Sequence, residues 1–223
     1  MTLGCAGSNP ASPAKKKGIF MSALYEKFNN WLYTDGVHKN AIYILSDPHF
    51  NDPDEAEFRD EYPGDEELVK RINLKVQKND TVIFLGDIGD TYLLNKIRGY
   101  KVLITGNHDK GINYYKPWFN EVYDGPLMIN DRLLLSHEPL TLPDCMFNIH
   151  GHAHKCPTSD NFHLNVCVEF IEYSPLCLTS LLKNGLLIDV MPIHRDTINK
   201  AVKRLAASME EEWAANRKRN EEQ

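Results

Sequence analysis

Short apolar runs alternate with amphipathic segments through the first half of the chain. Three of these runs are long enough for buried strands but too short for helices, and they occupy residues 42–45, 81–85 and 102–104. Between the first two runs, Asp65 can cap a helix whose apolar side chains share one face, namely Leu68, Val69, Ile72 and Val76. A shorter helical segment is predicted near residues 92–97. This alternation predicts parallel strand pairing and an α/β fold.

The second half of the chain is predicted to be mostly strand. Its apolar runs, with little helical pattern between them, are residues 133–135, 146–149, 164–168 and 186–190. These runs favour a second sheet beside the first. Residues 50–64 hold two prolines and six acidic residues, which indicates a long polar loop after the first strand.

Two further helices and a leader are predicted at the ends of the chain. Residues 22–33 and 196–217 carry apolar side chains at helical spacing, and we expect the apolar stripe of the second helix to dock on the body. Residues 1–20 are rich in small and polar residues and include the run Lys15–Lys17. They indicate a flexible leader, either native or added to a natural chain that starts at Met21. The remainder, 21–223, is predicted to form a single domain.

The composition argues against two classes of partner. With a net charge of −6 and a pI near 5.8, the chain of 223 residues has no overall attraction to nucleic acid or to an anionic membrane. No apolar stretch reaches the roughly 20 residues that span a bilayer. The five cysteines form no Cys-x-x-Cys pair, which favours reduced thiols in a cytoplasmic protein.

Five short polar motifs follow the predicted strands. They are Asp47-Pro48-His49, Gly86-Asp87-Ile88-Gly89-Asp90, Gly106-Asn107-His108-Asp109, Ser136-His137-Glu138 and Gly151-His152-Ala153-His154. Side chains at positions i and i+2 of an extended segment point the same way, so Asp47 can chelate an ion together with His49, and His152 together with His154. Strand ends that bring carboxylate, amide and imidazole groups to one sheet edge predict a metal site.

The candidate ligands are numerous enough for two divalent ions: Asp47, His49, Asp87, Asn107, His137, His152 and His154. The two carboxylate oxygens of Asp87 suit a bridging position. This donor set fits Mn²⁺, Fe²⁺, Zn²⁺, Co²⁺ or Ni²⁺, and of these we expect manganese. The chemistry that two adjacent ions serve best is the attack of hydroxide on phosphorus.

The motifs resemble the signature of the calcineurin-like metallophosphoesterase superfamily, over Ile42 to His154. The resemblance implies a four-layer αββα sandwich of two mixed sheets flanked by helices, with the metals at the carboxyl ends of strands. It also implies that the ions share Asp87, and that the other ligands divide into Asp47, His49 and His154 for the first ion and Asn107, His137 and His152 for the second. The residues around Asp47 and His137 are similar to those of small bacterial and phage phosphoesterases of unknown substrate.

His108 is the candidate for chemistry beyond the metals. It can lie over the phosphate, stabilise developing charge and protonate the leaving oxygen. By the family resemblance, Asp90 orients His108; the alternative is that Asp90 only caps the helix that begins near Thr91. Asp109 is expected to bind backbone groups or a neighbouring loop.

Departures from the family pattern bear on the substrate. Phosphoprotein phosphatases of this superfamily have an arginine where this chain has Thr91, and glycines where it has Glu138 and Pro139, which argues against that class. Substitutes for phosphate contact are Arg98, His163, Asn165 and Arg195, although each is also compatible with a surface or supporting position. Asn165 is expected to orient a loop that carries ligands.

These observations favour a phosphodiesterase that acts on a small phosphodiester or a nucleotide by attack of a hydroxide held between the two ions. The acidic segment 50–64 should disfavour a long polyanion. A phosphomonoesterase or nucleotidase is the alternative. A nuclease should carry a basic track, and a non-catalytic scaffold should have lost ligands; neither feature is evident in this sequence. The oligomeric state is left open.

Overall fold

The computed structural model describes residues 40–142, 146–191, 200–204, 207 and 209. The predicted leader, the predicted helix at 22–33 and the candidate Arg195 lie outside the described residues. The expected two-sheet α/β architecture is confirmed, and both sheets are mixed.

The first sheet has the strand order β4-β3-β2-β1-β9. These strands are β1 (Ile42–Leu45), β2 (Thr81–Phe84), β3 (Tyr100–Ile104), β4 (Glu121–Tyr123) and β9 (Leu176–Cys177). Strands β1 to β4 are parallel, and β9 pairs antiparallel with β1. All four residues of β2 are buried, as expected for a central strand covered on both faces.

The second sheet has the strand order β5-β6-β7-β8. Its strands are β5 (Leu127–Met128), β6 (Leu133–Leu135), β7 (Phe147–His150) and β8 (His163–Asn165). Strands β6, β7 and β8 are parallel, whereas β5 is antiparallel to β6. An isolated parallel bridge between Ser46 and Cys167 joins the end of β1 to the segment after β8. The ends of the two sheets therefore meet at the segment that begins with Asp47.

The described helices are short except for one. They are α1 (Pro53–Phe58), α2 (Asp65–Lys75), α3 (Ile112–Tyr115) and α4 (Leu178–Lys183), with a 3₁₀ turn at Leu94–Lys96. Helix α2 buries Leu68, Val69 and Ile72, the apolar face that the spacing predicts. None of the described helices combines the length and the hydropathy needed to cross a membrane.

Five expectations about the elements and their packing are wrong. Residues 50–64 are not one long loop, because they contain α1, which starts with Pro53 and is capped by the Asp52 carboxylate accepting from Glu55 N at 3.1 Å. Asp65 does not cap α2; Gly64 occupies that position, and the Asp65 carboxylate accepts from Asn51 N. The strand predicted at residues 164–168 is β8, but β8 ends at Asn165, so residues 166–168 are not part of it.

Residues 186–190 form turns instead of a strand, since Ile188 N and Val190 N donate to carbonyls three residues back. The apolar residues of this segment predicted the strand. Leu187 and Val190 are buried, whereas Ile188 is 81% exposed. In the segment predicted as the C-terminal helix, residues 200–204, 207 and 209 are helical. Val202 and Met209 are 60% and 49% exposed, so the expected docking of these two side chains is not found.

Candidate metal centre

The motif loops share an uncommon backbone conformation. Nine non-glycine residues of the described chain have positive φ, and five of them are predicted ligands: Asp47 at 56°, His49 at 45°, Asp87 at 50°, His152 at 60° and His154 at 43°. This left-handed conformation is strained for such residues, and it persists where the surroundings fix the backbone. Its concentration at one end of the two sheets marks that end as the functional edge.

Backbone hydrogen bonds tie these loops to one another. Asp47 N donates to Gly86 O at 3.2 Å, and His49 N donates to Asp87 O at 3.1 Å. His152 N donates to the Asp47 carboxylate at 2.9 Å. The loops after β1, β2 and β7 therefore form one connected unit, in which a shift of one loop is transmitted to the others.

The first group of ligand atoms comes from Asp47, His49 and His154, which converge within 4.8 Å. Asp47 Oδ1 lies 3.9 Å from His49 Nε2 and 3.8 Å from His154 Nε2. Asp47 Oδ1 and His49 Nε2 are buried and have no hydrogen-bond partner. Buried polar atoms are nearly always satisfied in native proteins, so these two atoms fit the ligands of a cation.

The second group of ligand atoms surrounds His137 Nε2. This nitrogen lies 2.8 Å from Asn107 Oδ1, 3.2 Å from His152 Nδ1 and 3.3 Å from Asp87 Oδ2. His137 Nδ1 is 2.7 Å from the carbonyl of Leu85, which can only accept, so Nδ1 carries a proton and Nε2 is the nitrogen that can offer a lone pair to an ion when the ring is neutral. A divalent ion fits among these four atoms.

The electrostatics of His137 point to the same conclusion. Burial on its own lowers the pKa of His137, but the contact with Asp87 and the charges of Asp47 and Asp87 outweigh burial and raise this pKa to about 9. The surrounding carboxylates thus favour a positive charge at this position. In the metal-free protein a proton meets that demand, and a bound ion would replace it.

Asp87 faces both groups of ligand atoms. Its Oδ2 is 3.7 Å from His49 Nε2 as well as 3.3 Å from His137 Nε2. Its Oδ1 accepts from His108 N at 3.0 Å. A side chain at Gly106 would put a Cβ atom 2.2 Å from Asp87 Oδ1, so only glycine allows this close backbone approach. The carboxylate, amide and imidazole donors of the two groups fit Mn²⁺, Fe²⁺ or Zn²⁺.

His108 lies at the open side of the centre. Its side chain is exposed, and its ring centroid is 5.9 Å from that of His49. The Asp90 carboxylate accepts from Tyr92 N at 3.2 Å and from Asn51 Nδ2 at 3.4 Å. Within the described chain no hydrogen bond joins Asp90 to His108. The 3₁₀ turn begins at Leu94 after Leu93 and has no side-chain capping hydrogen bond, so Asp90 does not cap it; orientation of His108 by Asp90 stays a prediction.

Asp109 has a supporting position, as expected. Its carboxylate accepts from Asp87 N, Ile88 N and Gly106 N at 2.8–3.0 Å. It also accepts from the hydroxyl of Tyr115 at 2.8 Å. Asp109 therefore fixes the backbone that presents Asp87 and Asn107. Tyr115 was not identified from the sequence, because an aromatic residue in a short helix is typical of the hydrophobic core.

Among the candidate phosphate contacts, Asn165 has the expected orienting position. It is fully buried, donates to His154 O at 3.0 Å and accepts from Cys167 N at 2.9 Å. His163 contacts Asp160 Oδ1 at 2.8 Å and Leu140 O at 2.9 Å. Arg98 instead contacts the backbone and side chain of Asn73 on α2. Of these three residues, Asn165 is the one that contacts a predicted ligand, His154.

Three buried side chains behind the first group were not found from the sequence. The Cys167 thiol donates to Asp47 Oδ2 at 3.3 Å, and burial beside that carboxylate raises the pKa of the thiol. Arg59 and Glu169 form an ion pair of 2.6 Å next to His154. A lone cysteine, arginine or glutamate has no local signature, so only the tertiary structure reveals these contacts.

A cavity of about 200 Å³ adjoins the second group of ligand atoms. Its lining includes the predicted ligands Asn107 and His137 together with Pro126, Glu138 and Leu140. No lysine or arginine of the described chain lines this cavity. It is therefore a largely neutral space beside the ligands, with one carboxylate in its wall.

Two mixed sheets with paired ligand groups at the strand ends define a metallophosphoesterase. The family model of the calcineurin-like phosphoesterases matches residues 41–217, and the chain belongs to that family. The chain is also similar to the crystal structure of a protein of unknown function from Aquifex aeolicus. The TM-score is 0.56, and the sequence identity is 26% with coverage of 65% of this chain and 99% of that chain. A search of curated protein sequences gave no match.

Proposed function

We propose that this phosphoesterase is a dinuclear phosphodiesterase that hydrolyses a small phosphodiester or a nucleotide, with manganese as its metal. Membership of the family supports hydrolysis of a phosphoester bond. The observation that carries the dinuclear proposal is the position of Asp87, whose Oδ2 lies within 3.7 Å of nitrogens from both ligand groups. A single carboxylate shared in this way is what two adjacent ions require.

The proposed ligands divide as the geometry groups them. Asp47, His49, His154 and Asp87 would hold one ion, and Asp87, Asn107, His137 and His152 would hold the other. When bound, such ions supply Lewis-acid stabilisation of a phosphoryl group and a nucleophile at neutral pH. The strained turns, and the hydrogen bonds that join the motif loops, pre-organise the donor atoms before any ion binds.

His108 is the proposed proton donor to the leaving group. Its backbone N–H fixes the loop on Asp87, while its exposed ring is free of hydrogen bonds within the described chain. An imidazole in this position can hydrogen-bond a phosphate oxygen and pass a proton to the departing alkoxide. The expected variant phenotype of His108→Ala is a large loss of turnover with the metal content intact.

The neutral cavity supports a diester over a monoester. A diester has a second ester group that needs space beside the phosphate, and the cavity of about 200 Å³ next to Asn107 and His137 offers it. A second phosphate would meet Glu138 there without a lysine or arginine among the lining residues. We therefore expect the second ester group to be neutral, as in a nucleoside or an aryl alcohol.

The charges around the first group support a small substrate. Helix α1 and its N-cap bring Glu55 and Asp52 beside this group, and Lys155 is already paired with Asp60 at 2.6 Å. A long polyanion would be repelled by these carboxylates. The thiols of Cys156, Cys167 and Cys177 are free, which fits the cytoplasmic location that we propose.

The test is hydrolysis of bis-p-nitrophenyl phosphate and p-nitrophenyl phosphate, with Mn²⁺ or with EDTA. The proteins are the wild type, Asp87→Ala, His108→Ala and Arg98→Ala as a control outside the ligand groups. The proposal expects metal-dependent diester cleavage that Asp87→Ala abolishes and Arg98→Ala retains. A preference for the monoester would indicate a phosphomonoesterase instead, and loss of metal in His108→Ala would contradict the role of His108.

A further inference from the structure

We propose that Arg59 is a positioning residue that, together with Glu169, holds the ligands of the first ion in their binding arrangement. The inference rests on the proposed metal centre. It concerns residues that lie in the acidic stretch after β1 and in the segment after β8, outside the five sequence motifs. The contacts of Arg59 join these two segments behind Asp47 and His154.

The guanidinium of Arg59 is almost completely enclosed, with 1% of its side chain exposed. Its Nη2 donates to Asp47 O at 2.7 Å, and its Nη1 donates to Pro48 O at 3.0 Å. Its Nε lies 2.6 Å from Glu169 Oε1. The two Nη nitrogens therefore donate to carbonyls, while Nε is ion-paired with Glu169 without a hydrogen bond, in a planar fork that a lysine cannot reproduce.

The two carbonyls that Arg59 binds belong to the turn that presents the first pair of ligands. In this turn Asp47 has a φ of 56° and His49 a φ of 45°, both in the left-handed region. A strained turn keeps its shape only when other groups restrain it. Arg59 supplies that restraint from outside the turn, through two consecutive carbonyl groups.

Glu169 extends the same restraint to the third ligand. Its side chain is 4% exposed, and its Oε1 is 3.1 Å from His154 Nδ1. A carboxylate at this distance holds the Nδ1 proton and leaves Nε2 of the ring to face Asp47 Oδ1, 3.8 Å away. The ion pair of Arg59 and Glu169 thus couples the orientation of His154 to the turn that carries Asp47.

The position of Arg59 depends on helix α1. Arg59 is the residue that follows α1, and its N–H donates to Ala56 O at the end of that helix. The helix itself begins at Pro53 with the Asp52 cap, directly after the turn that Arg59 binds. The chain therefore leaves the turn, makes a short helix and returns a guanidinium to the carbonyls of the same turn.

A third cation is the rival explanation for the acidic cluster behind His154. Ligand atoms of Glu55, His154 and Glu169 lie within 4.8 Å of one another. However, Arg59 Nε already lies 2.6 Å from Glu169 and 3.8 Å from Glu55. The positive charge that these carboxylates require is thus provided by the chain, and a metal count above two per chain would contradict this assignment.

The experiment compares metal binding in the wild type, Arg59→Lys and Glu169→Gln. Arg71→Lys is the matched control, because Arg71 also binds a carbonyl, Glu172 O at 3.2 Å, and a carboxylate, Glu67 at 3.5 Å, but is 37% exposed. Each protein is titrated with Mn²⁺ and studied by elemental analysis after dialysis, by electron paramagnetic resonance, and by kcat and KM for bis-p-nitrophenyl phosphate. Thermal melting in EDTA reports folding.

We expect two Mn²⁺ per chain and a spin-coupled signal in the wild type and in Arg71→Lys. Arg59→Lys and Glu169→Gln should bind the first ion about 10–100-fold more weakly and give the signal of an isolated ion. Excess Mn²⁺ should restore part of kcat. Equal affinity and an unchanged coupled signal in Glu169→Gln, which keeps the size of the side chain, would overturn the inference. Absence of Mn²⁺ binding in the wild type would instead overturn the proposed function on which it rests.

Discussion

The replacement Asp109→Asn tests the interpretation that a carboxylate inside the third motif supports the backbone. Asp109 receives four hydrogen bonds, from three backbone N–H groups and from the hydroxyl of Tyr115. An asparagine of the same shape has one acceptor oxygen. It therefore keeps two of these bonds and turns its NH₂ group toward the other two donors.

The magnitude follows from this count of donors. Hydrogen bonds to a charged group contribute about 1.5–3 kcal/mol each. Loss of two of them predicts a free energy of unfolding lower by about 3 kcal/mol, at the low end because Asp109 is partly exposed. Tyr115→Phe removes one donor and leaves the carboxylate in place, so it should cost about half as much, about 1.5 kcal/mol.

The assay is urea unfolding of the metal-free proteins, because bound ions would add their own stabilisation. Asp131→Asn is the control, since Asp131 is an exposed carboxylate. A double variant of Asp109 and Tyr115 should lose less than the sum of the single variants. If Asp109→Asn unfolds within about 0.5 kcal/mol of the wild type, the supporting role is refuted and Asp109 becomes a candidate for catalysis.

Three further predictions concern other parts of the chain. Gly106→Ala should abolish Mn²⁺ binding, because the new Cβ atom would lie 2.2 Å from Asp87 Oδ1. The control Gly111→Ala has open space around its Cβ atom and should bind Mn²⁺ as the wild type does. Elemental analysis of both variants measures the bound Mn²⁺. Burial lowers the pKa of His163, but Leu140 O and Asp160 outweigh burial and raise it above its usual value. Protonated His163 therefore stabilises the fold below the unfolded pKa, and this contribution is lost as the pH rises through the folded pKa. Urea unfolding should show that His163→Gln is more destabilising near pH 5.5 than near pH 8.5. An equal loss of stability at both pH values would contradict this prediction. Arg98→Ala should keep kcat/KM for bis-p-nitrophenyl phosphate within about two-fold of the wild type, because Arg98 contacts Asn73 on α2; a larger loss would return Arg98 to the list of phosphate contacts.

The sequence predicted the strands that position the centre because their apolar runs are complete. Strand β2 is buried at every position, and its apolar run 81–85 is followed directly by Gly86 and Asp87. The sequence therefore shows both the strand and the candidate ligand after it. The same logic failed at residues 186–190. That run is also apolar, but Gly185 has a φ of 94° and the backbone after it forms turns, so apolar composition alone misled the assignment.

Helix α1 escaped prediction for a different physical reason. It buries none of its residues and so has no hydrophobic periodicity, although Asp52 and Pro53 are an N-cap and a first helical residue of common type. Arg59 and Glu169 escaped because their pairing is long-range and depends on the bridge between Ser46 and Cys167. Local patterns therefore predicted the candidate ligands, whereas the groups that orient them required the tertiary structure.

The most direct test of the dinuclear centre is a crystal structure of the protein with Mn²⁺. Diffraction data would be measured on both sides of the manganese absorption edge. Two anomalous peaks are expected, one on either side of Asp87. One should lie against Asp47, His49 and His154, and the other against Asn107, His137 and His152. A single peak, or peaks away from these side chains at saturating Mn²⁺, would contradict a dinuclear centre at these ligands.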